Sequence, residues 1–365
     1  MKETIARLVK IFGVSDAVTA IDKIGNGNIN QTYDVHTENG RYIVQRINIF
    51  VFKKPAEIMQ NIERVTAHIA KKLERAGKSR DGVMHFLHTA DGANFVVEGD
   101  AVWRAYEFVP DSETFNDCSD LDKLRSAGKA FGNFQNQLAD FDAASLYETI
   151  AGFHDTRARL ALLFQHVEED PCGRVSEVKA EIEQIAAFRK TAERLCELID
   201  AGALPLRVTH NDTKINNVLF DTKTGEAKTV IDLDTVMPGL VAYDFGDAIR
   251  FAANLAAEDE KDLSLVHFSM ERFTAFAEGF LSEVADALTE NEIATLALGA
   301  FVLTAESAVR FLDDYLVGDT YFKCLYEGHN LVRTRCQLVL AKDILAHMDE
   351  MNETVARIAA QVAKK

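Results

Sequence analysis

The polar and apolar positions of this chain change rhythm about a third of the way along. Residues 18–24, rich in β-branched side chains, read as a strand, and 32–35 and 42–47 continue as two more. Asn39-Gly40 between the last two is a hairpin signal. From about 55 to 75, Ile58, Ile62, Val65, Ile69 and Leu73 recur at helical spacing and predict an amphipathic helix. Residues 94–98, a Gly99-Asp100 turn and 102–109 predict a further hairpin. After Pro110 helical spacing takes over, first in Leu121, Leu124, Phe131, Phe134 and Leu138, then in Val175, Val178, Ile182 and Ile185. Two short strands, 218–220 and 228–231, flank the turn 221–225, and helical stretches dominate from Phe245 onward. The expected architecture is α+β, with a small β-rich lobe over 1–109 and a large, mainly helical lobe over 110–365.

A length of 365 residues accommodates one large domain or two ordinary ones, and 47% hydrophobic with 27% charged residues is ordinary for a globular enzyme. The formal net charge of -17 argues against nucleic acid and anionic membrane as partners. Five scattered cysteines without a Cys-x-x-Cys pair indicate neither a zinc site nor a disulfide framework. The first residues carry no apolar core of signal-peptide type, and the apolar run 293–305 is interrupted by threonine and short for a bilayer span. A soluble, cytoplasmic protein is expected.

The candidate chemistry concentrates in His210-Asn-Asp212-Thr-Lys214-Ile-Asn216-Asn217 and in Asp232 and Asp234, which follow the apolar residues 229–231. A carboxylate, an amide five positions later and a second carboxylate beyond are what a kinase needs to orient a hydroxyl and hold magnesium. Asp212 is expected to accept the proton of the attacking hydroxyl, with Asn217 and Asp232 as metal ligands. A carboxylate at the end of a buried strand is costly unless paired or metal-bound, which favours Asp232. Asp234 reads equally as an outer-sphere contact or a turn cap, and His210 as a structural support. Asp244-Phe245-Gly246 spells a kinase metal-binding triplet but opens a helix, so Asp244 is read as a structural cap. Gly25-x-Gly27 joins two strands, where backbone can approach phosphate oxygens. A Walker pattern is absent.

His210-Asn-Asp212-x-Lys-x-x-Asn217, Ile231-Asp232-Leu-Asp234 and Gly239-x-x-x-x-Asp244 resemble the aminoglycoside phosphotransferase and choline kinase superfamily over nearly the whole chain. With Gly25-Asn-Gly27-Asn28-Ile-Asn30, Gln45-Arg46-Ile-Asn48 and Glu306-x-x-x-Arg310, the chain is most similar to its N-acetylhexosamine 1-kinase branch. The resemblance implies a protein-kinase-like two-lobe fold, ATP as co-substrate, Mg2+, and phosphorylation of the anomeric hydroxyl of N-acetylglucosamine or N-acetylgalactosamine. It implies nucleotide contacts from Gly25, Gly27, Asn28 and the backbone of Glu107, Phe108 and Val109. The third strand departs from the pattern, offering Gln45 and Arg46 where kinases place a lysine. Arg46, oriented by Glu63, is the expected replacement.

On the acceptor side, Lys214 suits charge neutralisation or a hydrogen bond to the acceptor, and Asn216 suits a sugar hydroxyl or acetamide. Glu306 and Arg310, four residues apart, read either as a helix ion pair or as a sugar contact, and the resemblance favours the second. Tyr321 offers a ring face for a pyranose or simply packs on the surface. Lys214 and Arg310 would repel a polycation, so a neutral sugar is expected over choline, homoserine or an aminoglycoside as acceptor. A nucleotide-binding pseudokinase is the rival from another class, suggested only by the missing lysine.

Overall fold

The computed structural model of the chain describes residues 1–24, 30–116 and 119–364. The elements run α1 (Lys2–Ile11), β1 (Val18–Ile24), β2 (Gln31–Thr37), β3 (Arg41–Ile47), α2 (Pro55–Arg75), β4 (Val96–Glu98), β5 (Ala101–Glu107) and β6 (Ser112–Glu113). Helices α3 (Leu121–Gln137), α4 (Thr156–Glu169), α5 (Lys179–Ala192) and α6 (Arg194–Asp200) follow. Then come β7 (Arg207–Thr209), β8 (Val218–Asp221), β9 (Ala227–Val230), β10 (Met237–Gly239) and α7 (Val241–Ala252). The chain closes with α8 (Met270–Val284), α9 (Glu290–Leu316), α10 (His329–Ala346) and α11 (Met348–Val362). This is the expected α+β class, an antiparallel β-rich start followed by a mainly helical remainder.

Two compact units emerge, the first comprising Met1–Glu113, Ala144–Ile150 and Leu219–Met237, the second Thr114–Ala143, Ala151–Val218 and Pro238–Lys365. In the first, an antiparallel sheet has the order β1-β2-β3-β5-β4. One face of this sheet, carrying Tyr33, Val35, Val44, Trp103 and Ala105, packs on Ile5, Leu8 and Val9 of α1. Asn39-Gly40 does close the β2–β3 hairpin, through Thr37 N–H to Gly40 O at 2.8 Å, although neither residue adopts positive φ. Helix α2 starts with Pro at its first turn and buries Ile58, Ile62, Val65, Ile69 and Leu73, the stripe its spacing predicts. Strands β6, β8 and β9 form a separate small sheet in the same unit.

The second unit is built on helix crossings that only glycine permits. A Cβ on Gly128 or Gly132 of α3 would collide with the backbone of Phe276 or Phe280 in α8. Gly246 of α7 and Gly299 of α9 likewise meet backbone to backbone, the Gly299 carbonyl lying where a side chain at 246 would stand. The apolar run 293–305 belongs to the 27-residue α9, which is long and apolar enough by length and composition to cross a membrane, so the reading of it as too short is corrected. Its most apolar window is 78% buried inside the protein, the pattern of a core helix. A capping box opens this helix, with Thr289 Oγ1 accepting from Glu292 N–H and Glu292 Oε2 accepting from Thr289 N–H.

Candidate active site

The loop after β7 is fixed by side chains from α7. His210 is fully buried and meets the rings of Phe131 and Phe134 edge-on at 5.7 and 5.9 Å. Asn211 follows at φ 63, a strained conformation for a non-glycine residue. The Asp244 carboxylate accepts the His210 and Asn211 N–H groups at 2.9 and 2.7 Å, and the Gln135 amide at 2.6 Å. Thr213 donates its hydroxyl to the Asp244 carbonyl at 2.5 Å and its N–H to the Asp247 carboxylate at 3.0 Å. Asp247 is held by Arg250, which also binds Glu258 at 2.7 Å. Asp244 is therefore structural, as its context in the sequence suggests, but it does not cap its own helix. Leu240 occupies that cap, and Asp244 sits in the first turn with its carboxylate turned to the loop.

Within the loop, Lys214 Nζ lies 2.8 Å from Asp212 Oδ1. Asn217 Nδ2 donates to the Asp212 carbonyl at 2.8 Å and to Asp212 Oδ2 at 3.1 Å. Burial pushes the Asp212 carboxyl up in pKa, but the Lys214 ammonium, His210 and the Asn217 amide together hold it below the usual carboxylate value. The Asp212 carboxylate in turn raises Lys214 against the effect of its own burial. Asp212 thus stands ionised at neutral pH. With its nitrogen committed to Asp212, the group that Asn217 offers a cation is its oxygen.

In the first unit, the turn after β9 reverses the burial expected of its two acids. Asp232 adopts φ 61 and is exposed, whereas Asp234 is only 2% exposed. The cost of burial argued for Asp232 belongs to Asp234, which forms an ion pair with the fully buried Arg104 of β5 and accepts from Asn30 Nδ2 at 2.6 Å. Asn61 of α2 supports the same turn by donating to the Val236 carbonyl at 2.9 Å.

Arg104 was not foreseen, and it bears on the missing third-strand lysine. In the β3–β5 register Gln45 lies opposite Arg104, and Gln45 Oε1 accepts from Arg104 Nε at 2.9 Å. Arg46 lies opposite Trp103, on the sheet face that packs against α1, and its acid partner is Asp100 at 3.6 Å. Glu63 binds His88 and Asn94 at 3.0 and 3.2 Å. The expectation that Glu63 orients Arg46 toward phosphates is corrected, because alternation along the strand turns Arg46 to the opposite face from Gln45 and Arg104. Gly25, Gly27 and Asn28 lie outside the described residues. Glu107 and Phe108 spend their N–H groups on the carbonyls of His85 and Arg41 at 2.9 and 3.0 Å, which leaves Val109 as the backbone donor of that trio.

Of the acceptor-side residues, all in the second unit, Asn216 Nδ2 donates to Asn116 Oδ1 at 3.1 Å. Glu306 and Arg310 do not pair as a helix salt bridge. The Glu306 carboxylate is buried and accepts from His154 Nδ1 at 2.9 Å and Thr156 Oγ1 at 2.7 Å. The Arg310 guanidinium stands among aromatic rings, 5.3 Å from Phe153, 5.5 Å from Phe322 and 6.0 Å from Tyr321. Tyr321 is exposed, and its position is set by Asp314, another residue without a sequence signal. Asp314 accepts the N–H groups of Thr320, Tyr321 and Phe322 at 2.9, 2.8 and 2.9 Å.

The oxygens of amide and carboxylate side chains are the hard ligands that magnesium prefers. Among the described residues, no cluster of three or more His, Cys, Asp or Glu side chains encloses a cation.

Known proteins share this fold. Over 96% of this chain and 99% of the other, the fold matches a microcompartment-associated aminopropanol kinase with a TM-score of 0.65 at 18% identity. An aminoglycoside phosphotransferase from Alicyclobacillus acidocaldarius matches with a TM-score of 0.61 at 14% identity, over 92% of each chain. A spectinomycin phosphotransferase in complex with ADP and spectinomycin matches with a TM-score of 0.55 at 15% identity, over 100% of this chain and 98% of the other. The profile of the phosphotransferase enzyme family (APH) matches residues 20–275, a span holding the loop, the acidic turn and the residues that brace them. The chain belongs to the phosphotransferase enzyme family.

Proposed function

We propose that the protein is an ATP-dependent small-molecule kinase that phosphorylates the anomeric hydroxyl of an N-acetylhexosamine. The reading rests on one observation above the others: Asp212 is kept ionised by Lys214 and Asn217 in a loop clamped by Asp244 and Asp247. In this reading the Asp212 carboxylate orients the sugar hydroxyl and takes its proton as the oxygen bonds to the γ-phosphorus. The bond to the bridging oxygen breaks and ADP leaves. Lys214, already beside the carboxylate, offsets charge on the transferred group. A bound magnesium ion would neutralise phosphate charge, with Asn217 and Asp232 as the protein oxygens that hold it. Val109 N–H would meet the adenine edge, and Gly25, Gly27 and Asn28 would contribute phosphate contacts. A cytoplasmic location belongs to the same reading, and Cys172, Cys196, Cys324 and Cys336 are free thiols.

The rival acceptor is the hydroxyl of an amine-bearing molecule such as choline, homoserine or an aminoglycoside, because the aminopropanol kinase and the aminoglycoside phosphotransferase are named for molecules of that kind. Coupled ADP release across N-acetylhexosamines, choline, aminopropanol and aminoglycosides separates the two. The expected result is turnover with an N-acetylhexosamine and a loss of about 10²–10⁴ in kcat for Asp212→Asn. Wild-type turnover in that variant, or release of ADP only with amines, would reject the reading.

A further inference from the structure

The buried Arg104–Asp234 pair ends a longer polar chain that crosses the sheet of the first unit. Register sets Thr32 of β2 opposite Gln45 of β3, and Gln45 opposite Arg104 of β5. Opposed positions share a face, so the three side chains form one row across adjacent strands. Gln45 Nε2 donates to Thr32 Oγ1 at 3.0 Å, and Gln45 Oε1 accepts from Arg104 Nε at 2.9 Å. Arg104 Nη1 then donates to Asp234 Oδ1. Gln45 stands on the strand where kinases place a lysine, yet both ends of its amide are occupied within the sheet. It acts as a strut.

The second oxygen of Asp234 is held from just before β2. Asn30 Nδ2 donates to Asp234 Oδ2 at 2.6 Å, across 204 residues of sequence. The direction of that amide is itself fixed, because Asn30 Oδ1 accepts from the Asn48 N–H at 3.0 Å and so turns its nitrogen toward the acid. Each carboxylate oxygen of Asp234 therefore has its own donor, and the acid serves as an anchor. Two positions earlier, Asp232 stands exposed at φ 61. A non-glycine residue keeps this conformation only where its surroundings impose it, and the anchored Asp234 does so. A buried ion pair adds little stability over apolar residues of the same volume, whereas its directional bonds fix where the turn points.

We infer that Asn30, Gln45 and Arg104 are positioning residues that act through Asp234 to set the Asp232 carboxylate for a divalent cation. The inference rests on the kinase reading above. Its test is the binding of Mn2+, which accepts the same oxygen ligands as magnesium, to the full chain saturated with ADP, followed by electron paramagnetic resonance. Asn30→Ala is the main variant, because it leaves the Arg104–Asp234 pair in place. Mn2+ binds about 10–100-fold more weakly to it than to the wild type, the usual loss when the partner behind a metal ligand is removed. Affinity for ADP without metal is unchanged. Asp232→Ala also weakens Mn2+, and adding Asn30→Ala to it brings no further loss, since nothing is left to position. Arg104→Met combined with Asp234→Asn, which strands no charge, binds Mn2+ weakly even where stability recovers.

Wild-type Mn2+ affinity in Asn30→Ala, in Asp232→Ala or in the Arg104 and Asp234 double variant overturns the inference. So does a loss in Asn30→Ala that adds in full to that of Asp232→Ala, because the two residues then act independently. An equal fall in metal-free ADP affinity overturns it as well, by setting Asn30 against the nucleotide itself. Each of these outcomes leaves the kinase reading standing. A wild-type chain that binds no ADP, or binds Mn2+ no better in its presence, defeats the kinase reading, and the inference falls with it.

Discussion

Asp244 accepts the backbone N–H of Asn211 at 2.7 Å from a helix 33 residues further along the chain. The bond holds Asn211 at φ 63, which the residue would otherwise leave for a relaxed conformation. Asp244→Ala would orphan two buried N–H groups and the Gln135 amide, each costing about 1–3 kcal/mol. The expected result is a marked loss in chemical denaturation together with a fall in kcat that exceeds any change in KM for ATP. A variant with normal kcat would show that the loop keeps its shape without this acid.

The Arg104–Asp234 pair gives a second prediction, on stability. Both side chains are almost wholly buried, so removing one strands the charge of the other. Arg104→Met should cost about 3–5 kcal/mol in urea unfolding. Arg104→Met combined with Asp234→Asn should recover much of that loss, since no unpaired charge remains. Additive losses in the double variant would mean that the two residues act independently.

A third prediction concerns pH. Burial acts to raise the Asp212 pKa, and the Lys214 charge is the first of the forces that hold it down. Lys214→Ala removes that force, so the folded pKa of Asp212 rises. Activity requiring the carboxylate is lost as pH falls through this pKa, and the acid limb of kcat/KM therefore moves to higher pH in the variant. The stabilisation from the depressed pKa is present above the unfolded value and disappears on acidification, so the variant also loses stability at neutral pH. A pH profile that superimposes on the wild type would refute the coupling.

Much of this was legible in the sequence because it depends on short-range pattern. The Asp212–Asn217 spacing, the α2 stripe and the early hairpins needed only neighbours a few residues apart. The cost of burial is expected at Asp232 but falls on Asp234, because the strand expected to reach Ile231 stops one residue earlier. Strand β9 ends at Val230, and the left-handed Asp232 turns the chain so that Asp234 faces inward. Arg104 and Asp314 gave no signal, since their roles come from contacts with Asp234, 130 residues away, and with a turn formed only after α9 ends. Arg46 is the charge visible on the third strand itself, whereas the face it occupies depends on the register with β5.

The meeting of Gly246 and Gly299 has a consequence for how this molecule can diverge. Helix α7 carries the acids that shape the reacting loop, and α9 carries Arg310 and the turn bearing Tyr321. With no side chain between the two backbones, a Cβ added at either glycine would meet the backbone of the facing helix and force it to shift. Descendants would therefore diverge more readily at the margins of α7 and α9 than at their crossing.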